Sequence, residues 1–188
     1  MVAMKMLDKK EIILDLVQKR RVIILNEEIT ANMSRDFGTA MVWLNAQSTE
    51  EIKIIIDCNG GGANAGLDMY DMIKFSSAPV TGIVYSRASS MASVVLQACK
   101  KRFMLPHARI LIHYLRMNEI PFNEMEENFE EAIKTARGQQ DGINEIYKKA
   151  TGRSLEEIKS SLKADKSMTA HEALDFGLID EIIMDYEI

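Results

Sequence analysis

Hydrolysis of an acyl bond by an activated hydroxyl needs four kinds of group. These are a nucleophile, a base within hydrogen-bond reach, a carboxylate that orients the base, and N–H donors for the oxyanion. The chain offers one candidate for each. Ser90 is the hydroxyl, and Met91 after it brings a backbone N–H at a helix start. Gly61, in the run Asp57-Cys58-Asn59-Gly60-Gly61-Gly62, is the candidate for a second donor. His113 is the base that takes the Ser90 proton and returns it to a leaving amine, and Asp165 is the carboxylate that fixes its tautomer. Each residue also has a plainer reading. A serine at a helix start is commonly just an N-cap, a lone histidine ending an apolar strand is commonly structural, Asp165 fits a solvated loop, and a glycine cluster fits a flexible turn. Nor does spacing along a chain show that groups meet in space. His107 and His171, in a turn and a capping box, read as structural. The glycines lack the Lys-Ser/Thr of a phosphate loop, so they argue only weakly for a nucleotide.

The elements that would hold these groups alternate. Val80–Tyr85 is an apolar run that reads as a buried strand, and it leads through small residues into Met91–Leu96, a buried helix. Ser89 and Ser90 therefore fall at a strand-to-helix turn, where unpaired N–H groups and a partial positive charge favour an anion. Before that turn the chain reads as a short helix over 11–19 (Ile12, Ile13, Leu16 and Val17 on one face), a strand at 21–25, a helix over 30–46 with Met33, Phe37, Met41 and Leu44 as its stripe, a strand at 52–56 running into the glycine loop, and a helix over 63–75. After it come two short strands, 102–105 and 109–113, the second ending at His113. A long helical stretch over 124–150 follows. Ser154-Leu155-Glu156-Glu157 and Thr169-Ala170-His171-Glu172 are capping boxes that start two further helices, with the polar loop 163–167 between them. Residues 178–184 read as a last strand. Strands alternating with helices imply an α/β layered fold with mainly parallel strands, whose sites cluster at the carboxyl ends of the strands. The glycine loop, the serine turn and His113 all lie at such ends.

Composition narrows the class. The 188 residues and 47% hydrophobic content fit one domain, 1–188. The net charge of −5, from 28 acidic and 23 basic residues without long runs of one sign, argues against nucleic acid or an anionic membrane as partner. Two cysteines and three scattered histidines show no metal-ligand spacing, and reduced thiols point to a cytoplasmic setting. The first ten residues are too charged for a signal sequence, and no apolar run approaches the roughly 20 residues that span a bilayer.

The motifs together resemble the proteolytic-subunit family of the Clp protease, ClpP, over most of the chain. Ser86-Arg87-Ala88-Ser89-Ser90-Met91-Ala92-Ser93 resembles the family's Gly-x-Ala-Ala-Ser-Met-Gly-Ala, which sets the nucleophile on Ser90 and not on Ser89. Arg102-Phe103-Met104-Leu105-Pro106-His107-Ala108-Arg109-Ile110-Leu111-Ile112-His113 resembles Arg-Phe-x-Leu-Pro-x-x-Arg-x-x-Ile-His, which sets the base on His113. Thr151 to Ile158, Asp165, and Ala170 to Asp180 are similar to the C-terminal signature that carries the triad acid, and Gly60-Gly61 resembles the oxyanion loop. Departures are Cys58-Asn59 for Ser-Pro, Ser86 and Ala92 for glycines, Tyr114-Leu115 for Gln-Pro, and 116–123 in place of a Gly-rich strand.

The resemblance implies a crotonase-like fold of stacked β-β-α units with a long protruding handle helix, the handle region spanning about 114–150. It also implies a serine endopeptidase that cuts unfolded polypeptide and peptides inside a chamber made by seven-membered rings, single or double. An AAA+ unfoldase is the implied partner, and ATP would be used there and not by this chain, which needs no cofactor. Two rivals remain. One is a catalytically silent subunit of a mixed ring. The other is a crotonase-fold enzyme acting on acyl-CoA, which shares the two-amide oxyanion hole without needing serine, histidine and aspartate together.

Overall fold

The computed structural model describes residues 9–116 and 122–184, without the side chains of 9–10 and 122–128. In chain order the elements are α1 (Lys9–Arg20), β1 (Val22–Leu25), α2 (Ala31–Gln47), β2 (Ile52–Cys58), α3 (Ala63–Phe75), β3 (Val80–Ser89), α4 (Met91–Leu96), β4 (Lys101–Met104), β5 (Arg109–Ile112), α5 (Phe122–Thr151), α6 (Leu155–Lys163), β6 (Lys166–Met168), α7 (Ala170–Phe176) and β7 (Glu181–Ile182). Of the expected handle region, 117–121 lie outside the described residues, as does most of the stretch that replaces the Gly-rich strand. The ten N-terminal residues read above for a signal sequence also fall largely outside.

Strands β1, β2, β3, β4 and β7 form one parallel path. The alternation in β2 turns Ile52, Ile54, Ile56 and Cys58 inward, into the same apolar core as Phe37, Met41 and Leu44 of α2. Strand β3 does double duty. Its first half, Thr81–Val84, pairs with β4, and its last residues, Arg87–Ser89, pair with β5. Between them the register against β2 slips, Ile56 facing Val84 but Cys58 facing Ala88, and Tyr85 turns out to solvent. This irregularity bends the strand away from one sheet partner and onto another. A third strand, β6, then pairs antiparallel with β5.

Several sequence expectations are corrected here. The strand expected at 80–85 runs on to Ser89, because the slip in register breaks the period-two pattern that marks a strand. Residues 166 and 167 of the expected polar loop belong to β6 (Lys166–Met168), a three-residue edge strand too short to show alternation. The last strand shrinks to two residues because Leu178 and Ile179 are buried as the chain leaves the left-handed cap at Gly177. Among the described side chains of α1 only Leu16 and Val17 are even half-buried, and Ile12 and Ile13 face away from this chain's own core.

Both capping boxes form. Ser154 and Thr169 each accept the N3 amide, and Glu157 and Glu172 reach back to the cap N–H. These hydrogen bonds, from the backbone first, hold both carboxyls below their ordinary value of 4.5. A depressed carboxyl stabilises the fold above its unfolded value and loses that contribution as pH falls through the folded value. Replacing both glutamates by glutamine is therefore expected to lower the melting temperature at neutral pH, with a difference that shrinks as pH drops below 4.5. Circular dichroism melts across that range check it, and a constant difference would contradict the account.

Candidate active site

Strand β3 ends at Ser89 and α4 begins at Met91, so Ser90 alone makes the turn. It does so at φ 53 and ψ −127, a sparsely populated conformation for a residue with a side chain. Such a backbone costs about 1–3 kcal/mol and persists only where its surroundings over-determine it. Here they do. The Ser90 N–H donates to the Leu111 carbonyl at 2.9 Å, and the Ser90 carbonyl accepts from the Ser93 N–H at 3.0 Å and the Ser93 hydroxyl at 2.6 Å.

The glycine loop closes on this turn from β2. A Cβ added to Gly60 would sit 2.7 Å from the Ser89 carbonyl oxygen, 2.8 Å from Ser90 Cβ and 3.0 Å from the Met91 nitrogen, so only glycine allows the approach. Gly61 packs equally tightly on the Ile29 backbone, and the loop is tied there by Ile29 N–H to Gly60 O and Gly62 N–H to Ile29 O. Cys58, which burial holds above the usual thiol range, keeps its proton. Its S–H donates to Glu27 O at 3.0 Å and its sulfur accepts the Gly60 N–H at 3.3 Å. With the Gly60 amide engaged, the N–H groups of Gly61 and Met91 have no partner among the described residues. These are the two N–H groups that the sequence offers as candidate oxyanion donors.

Sheet register brings the other two groups near. The parallel pairing Ser89↔Leu111 sets the serine turn beside β5. His113 follows β5 directly, and one step beyond the antiparallel pair Ile112↔Lys166 it comes opposite Asp165. The side chains, however, are engaged elsewhere. His113 Nδ1 lies 2.6 Å from the Tyr114 carbonyl oxygen. A carbonyl only accepts, so Nδ1 carries the proton and Nε2 of the neutral ring is bare. Asp165, at φ 46, is exposed and pairs with Arg116 at 2.9 Å. Among the described residues no hydrogen bond joins Ser90 Oγ to His113, or His113 to Asp165. The Arg116 and Asp165 side chains are 72% and 54% exposed, so the pair is worth only about 0–1 kcal/mol and is readily exchanged. Among the described residues no cluster of histidine, cysteine and carboxylate side chains could hold a metal ion.

The comparisons settle the family. The Clp protease family model matches residues 6–186. The chain belongs to the Clp protease family. A solved structure, the ClpP1 N165D mutant from Listeria monocytogenes, superposes with a TM-score of 0.82 at 27% identity, over 93% of this chain and 96% of that chain. The mixed α/β architecture is thus the ClpP fold, as the resemblance implied, and the Clp protease family makes this chain a peptidase by class.

Sequence reasoning overlooked three residues at the site. Arg116 gave no signal, since no motif or spacing in the sequence links it to Asp165, 49 positions away. Ser93 lies one turn beyond Ser90 and reads as a small residue in an apolar helix. Tyr147 reads as an ordinary apolar contact of the long helix. Replacing Gly60 by alanine is expected to drive the loop off the serine turn. Stability should fall by about 1–3 kcal/mol, and labelling of Ser90 by a serine-reactive phosphonate should slow about tenfold or more. Chemical denaturation and intact-mass spectrometry measure the two effects.

Proposed function

We propose that this chain is a serine endopeptidase for unfolded polypeptide, with Ser90 as nucleophile, His113 as general base, Asp165 as orienting acid, and the Gly61 and Met91 amides as the oxyanion hole. The observation that carries the reading is the strained turn at Ser90. Three hydrogen bonds and the close approach of Gly60 hold one hydroxyl-bearing residue in a costly conformation, beside two amides left without partners among the described residues. An ordinary N-cap serine needs neither, and its side chain accepts from its own helix, which Ser90 does not do.

In this mechanism Ser90 Oγ attacks the scissile carbonyl while its proton passes to His113 Nε2. The oxyanion takes hydrogen bonds from the Gly61 and Met91 N–H groups, the proton returns to the leaving amine, and water then hydrolyses the acyl-enzyme. Asp165 joins by leaving Arg116 for His113 Nδ1, replacing the Tyr114 carbonyl. That exchange is cheap because the ion pair it breaks is solvated.

Assembly into a seven-membered ring, single or double, fed by an AAA+ unfoldase, completes the proposal. Such enclosure suits an unselective peptidase, which is safe among folded proteins only if they cannot reach its serine. Val42, Trp43 and Phe75 on α2 and α3 support it: one chain leaves them exposed, Phe75 to 88%, where a neighbouring copy would cover them. The two buried free cysteines suit a cytoplasmic setting, and no helix among the described residues is long and apolar enough to cross a membrane.

A second reading, the silent subunit of a mixed ring, is favoured by the partners that Asp165 and His113 have in one chain. Hydrolysis of a fluorogenic peptide and of an unfolded protein by the purified assembly separates the two. Ser90→Ala is expected to remove at least about a thousandfold of the rate. Unchanged turnover in that variant would overturn Ser90 as the nucleophile, and absence of turnover and of phosphonate labelling in the unmodified protein would favour the silent subunit. Asp165→Asn is expected to lower kcat by about 10³–10⁴ with little change in KM; a loss under tenfold would leave the orienting role with the Tyr114 carbonyl.

A further inference from the structure

Behind the serine turn lies a chain of hydroxyls that no step above uses. Tyr147, on α5, is 1% exposed, and its OH lies 2.6 Å from Ser93 Oγ, which in turn lies 2.6 Å from the Ser90 carbonyl oxygen. The direction of donation follows from proton count. The Ser90 carbonyl can only accept, so the single Ser93 proton goes to it, and the proton between the two hydroxyls must come from Tyr147. Burial pushes the Tyr147 hydroxyl well above its ordinary value of 10.0, so it stays a donor at every working pH. The order Tyr147 O–H to Ser93 O–H to Ser90 C=O is therefore fixed.

The acceptor at the end of this chain belongs to the Ser90–Met91 peptide unit, whose other pole is the Met91 N–H. Two consequences follow for a rigid amide. Pinning its oxygen pins the direction of its N–H, and donating to its oxygen polarises the unit, because hydrogen bonds in series strengthen one another in a low-dielectric interior. We infer that Ser93 and Tyr147 are positioning residues that aim and polarise the Met91 N–H as an oxyanion donor, and so tie the strength of that donor to the placement of α5. The inference rests on the proposed role of Ser90 and its oxyanion hole. A hydroxyl pair serving only to fill the core would stabilise the protein without distinguishing substrate from transition state. Positioning of the donor acts on the oxyanion alone.

The test compares Ser93→Ala, Tyr147→Phe, the double variant and Ser90→Ala in the assembled protein. Four quantities are read: kcat and KM on a fluorogenic peptide, Ki for a peptide boronate that mimics the tetrahedral intermediate, and melting temperature. Loss of a whole oxyanion donor costs about 10²–10³ in kcat, so weakening one should cost Ser93→Ala about tenfold. KM should stay within twofold and the boronate Ki should rise by the same factor as kcat falls. Tyr147→Phe, which keeps the ring, should lose about three- to fivefold in the same pattern, and the double variant should be no worse than Ser93→Ala, since Tyr147 acts only through Ser93. The inference is overturned if kcat and boronate Ki hold within twofold in both single variants, if activity falls only in proportion to melting temperature, or if the two losses multiply. Ser90→Ala separates the layers. If it abolishes turnover while the hydroxyl variants match the unmodified protein, positioning fails and the nucleophile stands; if it retains turnover, the peptidase mechanism itself fails.

Discussion

The hydrogen bond from the Ser90 N–H to the Leu111 carbonyl is the constraint on which the site rests. It extends the parallel ladder of β3 and β5 by one rung past the end of β3, and it does so with a residue whose backbone no regular strand or helix would accept. Without that rung the serine would relax into an ordinary helix cap. With it, the hydroxyl stands at the seam where β3 stops, α4 starts and the glycine loop arrives from β2. The slip of register between β2 and β3 belongs to the same design, because it is what lets one strand leave β4 and meet β5 at all.

The long helix holds both flanks of this seam. Tyr147 reaches the serine turn through Ser93, while Gln140, a little under two turns earlier on α5, accepts the Leu115 N–H just beyond His113 and is itself bonded to Asn144. Buried Ile143 and Asn144 seat the same face. The element that the resemblance casts as an outward handle is thus, at its C-terminal half, an inward brace for both the serine turn and the segment that follows His113. Asp165 is held differently. It stands in the turn just before the edge strand β6, in solvent, against a cation of no special geometry, so its partner is set by small energies and is open to change.

The sequence makes the framework legible and the contacts much less so. The alternation of β2, the stripe of α2, both capping boxes and the strand-to-helix position of Ser90 follow from period and residue type, and these dominate because each is a local rule enforced by many atoms. Motif spacing carried the family without any knowledge of the sheet. What escaped was decided elsewhere in the chain. Whether 166–168 is loop or strand depends on β5 being there to pair with, and the partner of Asp165 depends on the exit path of the chain after His113. A buried tyrosine whose hydroxyl must find an acceptor looks, in sequence, like any other apolar contact.

The placement of β6 carries a consequence for the order of synthesis. Ile110 pairs with Met168, so the strand that brings Asp165 beside His113 leaves the ribosome only after the whole of α5 and α6. A nascent chain would hold its hydroxyl, its imidazole and its glycine loop long before the carboxylate strand could dock. On the roles proposed above, cutting power is then the last property the polypeptide acquires, and an unfinished copy stays harmless to the cell that is making it.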